Sequence, residues 1–266
     1  MALTWIHYPN YKVKVEGVWQ HKRLRVKQGA VWVDTIIKAA AMNTFTLTPI
    51  GTGTEVATLR LLTSKDITIS VDGNARFYDD SGGTTNEGTT RTVEAGALRT
   101  YYLKCASGTS SLLIPDAKCV LGIGSNGIDG WTSSANAVSI SGDISGLTNL
   151  TYLYVSGSNT LSGDVGGSGT SAVVNGITAL KLNPCRMSDY TAGATWSLTD
   201  SSYIFPSTGY GYSATEIDNI LIDMAASLGT VSGKTITLKG SSAARTSASD
   251  AAVATLNGKG WTIVTN

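Results

Sequence analysis

Charge is scarce in this chain. Asp, Glu, Lys and Arg make up 15% of its 266 residues, against about a quarter in an ordinary globular protein. His occurs twice (His7, His21) and Pro five times. Three cysteines, Cys105, Cys119 and Cys185, cannot pair completely and show no CxxC spacing, which argues against a disulfide framework and a zinc site. No run of 18 apolar residues exists, so no membrane-crossing helix is predicted. HExxH, GxSxG and P-loop motifs are all missing. The phrase Leu121-Gly-Ile-Gly-Ser-Asn-Gly127 has a superficial likeness to a dinucleotide loop but lacks the third glycine, and no βαβ helix follows it. The formal net charge of +1 gives the chain no general polyelectrolyte character.

What is plentiful is glycine, with 30 residues, and apolar side chains at 42%. Ser and Thr fill much of the space that charge would occupy. Apolar residues recur at regular spacing to the last residue, which sets the chain apart from a disordered Gly/Ser-rich polymer. The expectation is a mainly β protein, rich in turns and kept soluble by hydroxyls. The opening Met1–His7 has no basic stretch followed by an apolar one, so no signal peptide is predicted and folding in the cytoplasm is expected.

Three segments are predicted. The first, 1–45, is an N-terminal β segment. It repeats a short phrase, VKVEGVWQ from Val13 and VKQGAVWV from Val26. Two or three strands here are too few to bury a core alone, so the segment is expected to dock on an oligomer, a larger assembly or the sheet that follows. It is basic, with Lys12, Lys14, Lys22, Arg23, Arg25, Lys27 and Lys38 against Glu16 and Asp34. That suits nucleic acid, an anionic membrane or an acidic protein socket, or it is simply a solvated strand face. The second, 46–112, carries strand-like runs at 44–47, 57–61, 67–71 and 100–103 separated by Gly-rich turns, the pattern of a small β-sandwich. Its loop Asp79-Asp80-Ser81-Gly82-Gly83 lacks the alternating ligands of a calcium loop, and no metal is predicted there.

The third, 113–266, repeats a template: apolar-x-apolar-x-x-(Asn, Cys, Ser). It occurs as Leu121–Asn126, Leu180–Cys185, Trp196–Ser201, Ile236–Ser241 and Trp261–Asn266. Leu150-Thr-Tyr-Leu153-Tyr-Val155 fits, with Asn159 one place late. Two apolar residues two apart enter the core from one side of a strand. The chain then turns, and a small polar side chain satisfies the backbone groups freed by the turn, forming a ladder of Asn126, Cys185, Ser201, Ser241 and Asn266. Between strands, Ser141-Gly-Asp-Ile-Ser-Gly-Leu147 returns as Ser162-Gly-Asp-Val-Gly-Gly-Ser168. Ile217, Ile220, Leu221, Met224 and Leu228 have helical spacing. Ser213 and Glu216 form a predicted capping box and Gly229 a predicted stop. Residues 247–258 are expected to repeat that plan, opening at Ser247 and closing at Gly258.

This template resembles that of leucine-rich-repeat proteins, and more narrowly the irregular ones of the Bacteroidetes and their phages. The shared phrases are Gly146-Leu-Thr-Asn-Leu-Thr-Tyr-Leu153, Thr215–Asp223, Ser247–Leu256 and Lys259-Gly-Trp-Thr-Ile263. The resemblance implies a solenoid over 113–266 ending in two helices. The Gly-Val-Trp repeat near the start resembles the virion-anchoring ends of phage fibre proteins. Together they imply a structural virion protein (head fibre, capsid decoration or tail-fibre component) assembled in the host cytoplasm and held to other virion proteins by Trp19, Arg23, Arg25 and Trp32. The alternative is an exported cell-surface adhesin of a bacterium. A homo-oligomer is expected, trimeric as phage fibres usually are, although no coiled-coil spacing is present.

No catalytic constellation stands out, and the chain is read as a non-enzyme without cofactor or metal. Cys185 is read as a buried ladder position rather than a reactive thiol. Binding is the remaining class. Tyr152, Tyr154, Lys181 and Lys239 alternate with core positions and are expected to face outward, where Tyr suits sugar rings or protein. They would meet a host glycan or surface protein, or else cover the sheet and contact a neighbouring subunit. Tyr203, Tyr210 and Tyr212 are expected in a long loop. Neither specific nucleic-acid binding nor membrane insertion is expected.

Overall fold

The computed structural model describes residues 23–28, 31–36, 43–49, 56–125, 128–129, 131–132, 138–156, 160–167 and 172–266. The chain divides into two compact units, 1–39 and 40–266. In the first, β1 (Arg23–Gln28) and β2 (Val31–Ile36) form an antiparallel pair that sets Arg25 opposite Asp34 and Lys27 opposite Trp32.

The second unit begins with eight strands. They are β3 (Asn43–Pro49), β4 (Ala57–Thr63), β5 (Ile67–Val71), β6 (Ala75–Tyr78), β7 (Asn86–Gly88), β8 (Thr90–Val93), β9 (Arg99–Cys105) and β10 (Ser110–Ile114). Then come β11 (Val120–Ser125), β12 (Ile128–Asp129), β13 (Trp131–Thr132), β14 (Val138–Asp143), β15 (Tyr152–Ser156), β16 (Thr160–Ser162), β17 (Ala179–Cys185) and β18 (Ser202–Pro206). Helix α1 (Ala214–Ser227), β19 (Lys234–Leu238), α2 (Asp250–Gly258) and β20 (Trp261–Thr265) complete it.

Two sheets share one core. One runs β16-β14-β3-β10-β5-β8, and the other β20-β19-β18-β17-β15-β11-β4-β9-β6-β7. Alternate residues point inward from both: Phe45, Leu47, Ile69 and Leu112 from the first, and Leu59, Leu61, Phe77 and Leu103 from the second, all fully buried. At β11 the long sheet changes character. On one side β11 is antiparallel to β4. On the other, β11, β15, β17, β18, β19 and β20 are all parallel. The segments expected as a sandwich (46–112) and a repeat region (113–266) are thus joined by β4 with β11 and β13 and by β3 with β14.

Five of the six template copies lie on or beside these parallel strands. The copy at Trp196–Ser201 requires correction, because its strand is Ser202–Pro206, with Ile204 between Leu182 and Leu238 in register. Trp196 and Leu198 are buried nonetheless, in a run without strand pairing beneath α1. The ladder shifts accordingly. Cys185 stands beside Pro206 rather than Ser201, and Asn266 donates to the carbonyls of Gly240 and Ser242 at 3.0 and 2.6 Å. Asn126 and Asn159 lie outside the described residues.

A second ladder runs at the strand entrances. The Thr151 hydroxyl donates to Leu121 O (2.6 Å) and the Thr178 hydroxyl to Thr151 O (3.0 Å), each reinforced by its own N–H. Each of these carbonyls thereby takes two donors from one threonine, its N–H and its hydroxyl, filling both lone pairs. The Ser-Gly-Asp repeat also has a structural counterpart. Asp143 accepts from Ser145 N and Asp164 from Gly166 N, the same turn twice, on parallel β14 and β16. Gly166 leaves no room for a side chain, since a Cβ there would lie 2.3 Å from Thr191 O.

Both helices form. Ser213 and Glu216 make the capping box of α1. The second opening differs from expectation. Residues 247–249 form a 3-10 turn capped by the Thr246 hydroxyl, and α2 starts only at Asp250.

Candidate functional site

The outer face of the long sheet is a broad surface built from ten strands in sequence. In β17, Leu180 and Leu182 enter the core, so Lys181 and Asn183 point the other way. The same alternation sets Tyr203 and Phe205 of β18, Thr235 and Thr237 of β19, Arg60 of β4, Tyr102 and Lys104 of β9 and Tyr78 of β6 on that face. Strand register lines them up, with Tyr154 beside Lys181, Lys181 beside Tyr203 and Tyr203 beside Thr237.

Of the expected binding residues, Tyr152, Lys181 and Lys239 are half-buried, each with part of its surface in solvent. Tyr154 needs correction. It is on the outer face but only 1% exposed, and the Lys181 ammonium stands 4.6 Å from the centre of its ring. A lysine laid over a tyrosine both shields the ring and gains from its π-face. Lys104 repeats this arrangement over Tyr78 at 4.9 Å while donating to Gly83 O at 2.7 Å. Beside Lys181, Tyr203 and Phe205 meet edge to face at 5.4 Å. Tyr203 lies on β18 rather than in the long loop expected for it, and Phe205 shares its face two residues on. Their alternation with Ser202, Ile204 and Pro206 was the available signal.

The other tyrosines divide. Tyr210 is 37% exposed, with the Arg186 guanidinium 5.2 Å from its ring. Tyr212 is buried, and its hydroxyl has no hydrogen-bond partner. It packs edge-on against Tyr190, which stacks on Trp196. Trp196 Nε1 donates to the Tyr190 hydroxyl at 2.9 Å, and that hydroxyl donates to Asp223 at 2.8 Å.

No family model, no curated protein and no solved structure matches this chain. The site therefore rests on its own chemistry.

That chemistry is one-sided. None of the nine strands from β20 through β6 contains Asp or Glu. Acids flank them: Asp129 in β12, a short strand paired to β11, Asp79 directly after β6, and Glu87 in edge strand β7. Asp200, just before β18, is engaged by Lys234 at 2.7 Å.

Nothing among the described residues gathers three His, Cys, Asp or Glu side chains. Burial pushes the Cys185 thiol up to about 11, outweighing hydrogen bonds from Met187 and Phe205 that act the other way. Asp80 closes its own loop by accepting from Thr84 N and Oγ1 at 3.1 and 2.7 Å. Trp19, His7 and His21 lie outside the described residues, and Arg23, Arg25 and Trp32 are placed only by strand register.

Proposed function

We propose that the parallel stack is an irregular leucine-rich-repeat solenoid closed at one side by a β-sandwich, and that the chain is a structural bacteriophage virion protein. Its N-terminal segment attaches to other virion proteins as part of a homo-oligomer, and the stack is displayed for contact with a host surface or a neighbour. The observation that carries the display reading is the continuous outer face, with half-buried tyrosines and lysines in register over parallel strands and hydroxyl ladders between coils. Stacked repeats present such surfaces for binding rather than turnover. The virion part is supported by the separate, basic N-terminal unit and the repeat resemblance.

The test is mass spectrometry of purified virions from the host in which the gene is expressed. The expected result is the full chain at stoichiometric abundance. Virions lacking it, with the protein instead on the bacterial envelope behind an encoded signal peptide, would replace this reading with the exported adhesin.

A further inference from the structure

We infer that the outer face binds a carboxylate-bearing polysaccharide. This rests on the display reading above and gives its ligand a chemical class. Three observations carry it. The first is charge: Arg60, Lys104, Lys181 and Lys239 lie on or beside strands that themselves contain no acid from β20 to β6, so the charge carried along these strands is positive and attracts an anion. The second is shape. The face is a broad sheet surface, its strands repeating every ~4.8 Å, so it suits a linear polymer laid across the strands. The third is the interleaving of rings with cations. Tyr203 is the cross-strand partner of Lys181, and Phe205 meets Tyr203 edge to face. A sugar ring offers C–H groups to an aromatic face and a carboxylate to the ammonium next to it.

Nucleic acid would also meet rings and cations, but the observations favour it less. The four named cations are spread over nine strands, two of them already lie over tyrosines, and the whole chain carries only +1. Phosphate-backbone binding draws on a much denser positive field. The neutral residues between the cations, Thr235, Thr237 and Asn183, are hydroxyls and an amide suited to sugar hydroxyls.

The experiment passes the full chain over immobilised polyuronate, dextran and single-stranded DNA of similar length. Polyuronate is expected to retain it, with affinity falling as salt rises, and dextran is not. The double variant Lys104→Glu/Lys181→Glu is expected to lose about tenfold or more in polyuronate affinity and to flatten the salt dependence. Tyr203→Ala/Phe205→Ala is expected to lose about tenfold with the salt slope kept. Lys65→Glu, in the turn after β4, is the control and should bind as the parent does. Circular dichroism confirms that each variant is folded. Failure of the parent to bind polyuronate overturns the ligand class, as does DNA retention equal to or tighter than polyuronate retention. Polyuronate binding that the face variants leave intact overturns the site. Neither outcome alters whether the chain is found in virions.

Discussion

Asp218 of α1 accepts a hydrogen bond at 2.6 Å from the hydroxyl of Ser249, 31 residues along the chain and immediately before α2. The same carboxylate takes Thr246 N at 3.0 Å and Thr246 Oγ1 at 2.5 Å. It is only 4% exposed and acts as the clasp between α1 and the turn that leads into α2. Asp218→Asn keeps the shape but removes the charge and turns one acceptor into a donor. The expected cost is about 1–3 kcal/mol, read from denaturant unfolding.

The same clasp gives a pH dependence. Burial opposes the charge on Asp218, but the donors Ser249 and Thr246 prevail and hold its carboxyl below the usual range. A depressed carboxyl stabilises the fold above its unfolded value of about 3.9, and that contribution is lost as pH falls through the folded value. Unfolding midpoints recorded between neutral and acid pH should therefore fall less steeply for Asp218→Asn than for the parent. Parallel curves would remove this role.

Tyr190→Phe deletes the hydroxyl that links Trp196 Nε1 to Asp223. Both lose a partner at one stroke, and Trp196 is 1% exposed, so its N–H is left without water. About 1–3 kcal/mol of stability is expected to go, with a changed near-ultraviolet dichroism from the Tyr190–Trp196 stack. Burial first, and the neighbouring Asp223, raise the Tyr190 phenol far above its ordinary range against the pull of Trp196. Tyr212, fully enclosed, is also raised. Alkaline titration of the native protein should leave these two tyrosines un-ionised until it unfolds.

The three thiols are all buried. Desolvation raises the Cys185 and Cys119 thiols, lowering the thiolate fraction that reacts. A water-soluble thiol reagent should modify none of the three rapidly under native conditions and all three in denaturant.

A fragment covering 40–112 is expected not to fold. It removes β14 from one side of β3 and β11 from one side of β4, opening both sheets along long apolar edges. Residues 40–266 should unfold in one cooperative transition by dichroism, and the fragment in none.

The repeat template was legible because core strands need apolar residues two apart, and Leu153/Val155, Leu180/Leu182 and Ile236/Leu238 have no competing use. Trp196 and Leu198 misled for a physical reason. They show the same spacing and the same burial, but their N–H and C=O groups are engaged elsewhere, as when Trp196 N donates to Ser227 Oγ. Spacing reports burial, not strand pairing. The cap of α1 was readable because Ser213 and Glu216 satisfy each other locally, whereas Thr246 both accepts from Ala248 N and donates to Asp218 on another helix, a partner that local sequence does not name. The outer face was half legible. Alternation placed Lys181 and Tyr154 on it, but that one covers the other depends on cross-strand register, which no single strand encodes. The link between 46–112 and 113–266 was not readable at all, since strands β4 to β13 lie between β3 and its partner β14.

That pairing imposes an order in time. The ribosome releases β3 long before it reaches β14, with synthesis running at about 5–20 residues per second. For several seconds β3 and β4 each present an open flank, to chaperones or to other nascent chains. Slow codons or a cold host lengthen that interval, so the yield of native protein should depend on how quickly residues 50–143 are translated more than on how stable the finished molecule is.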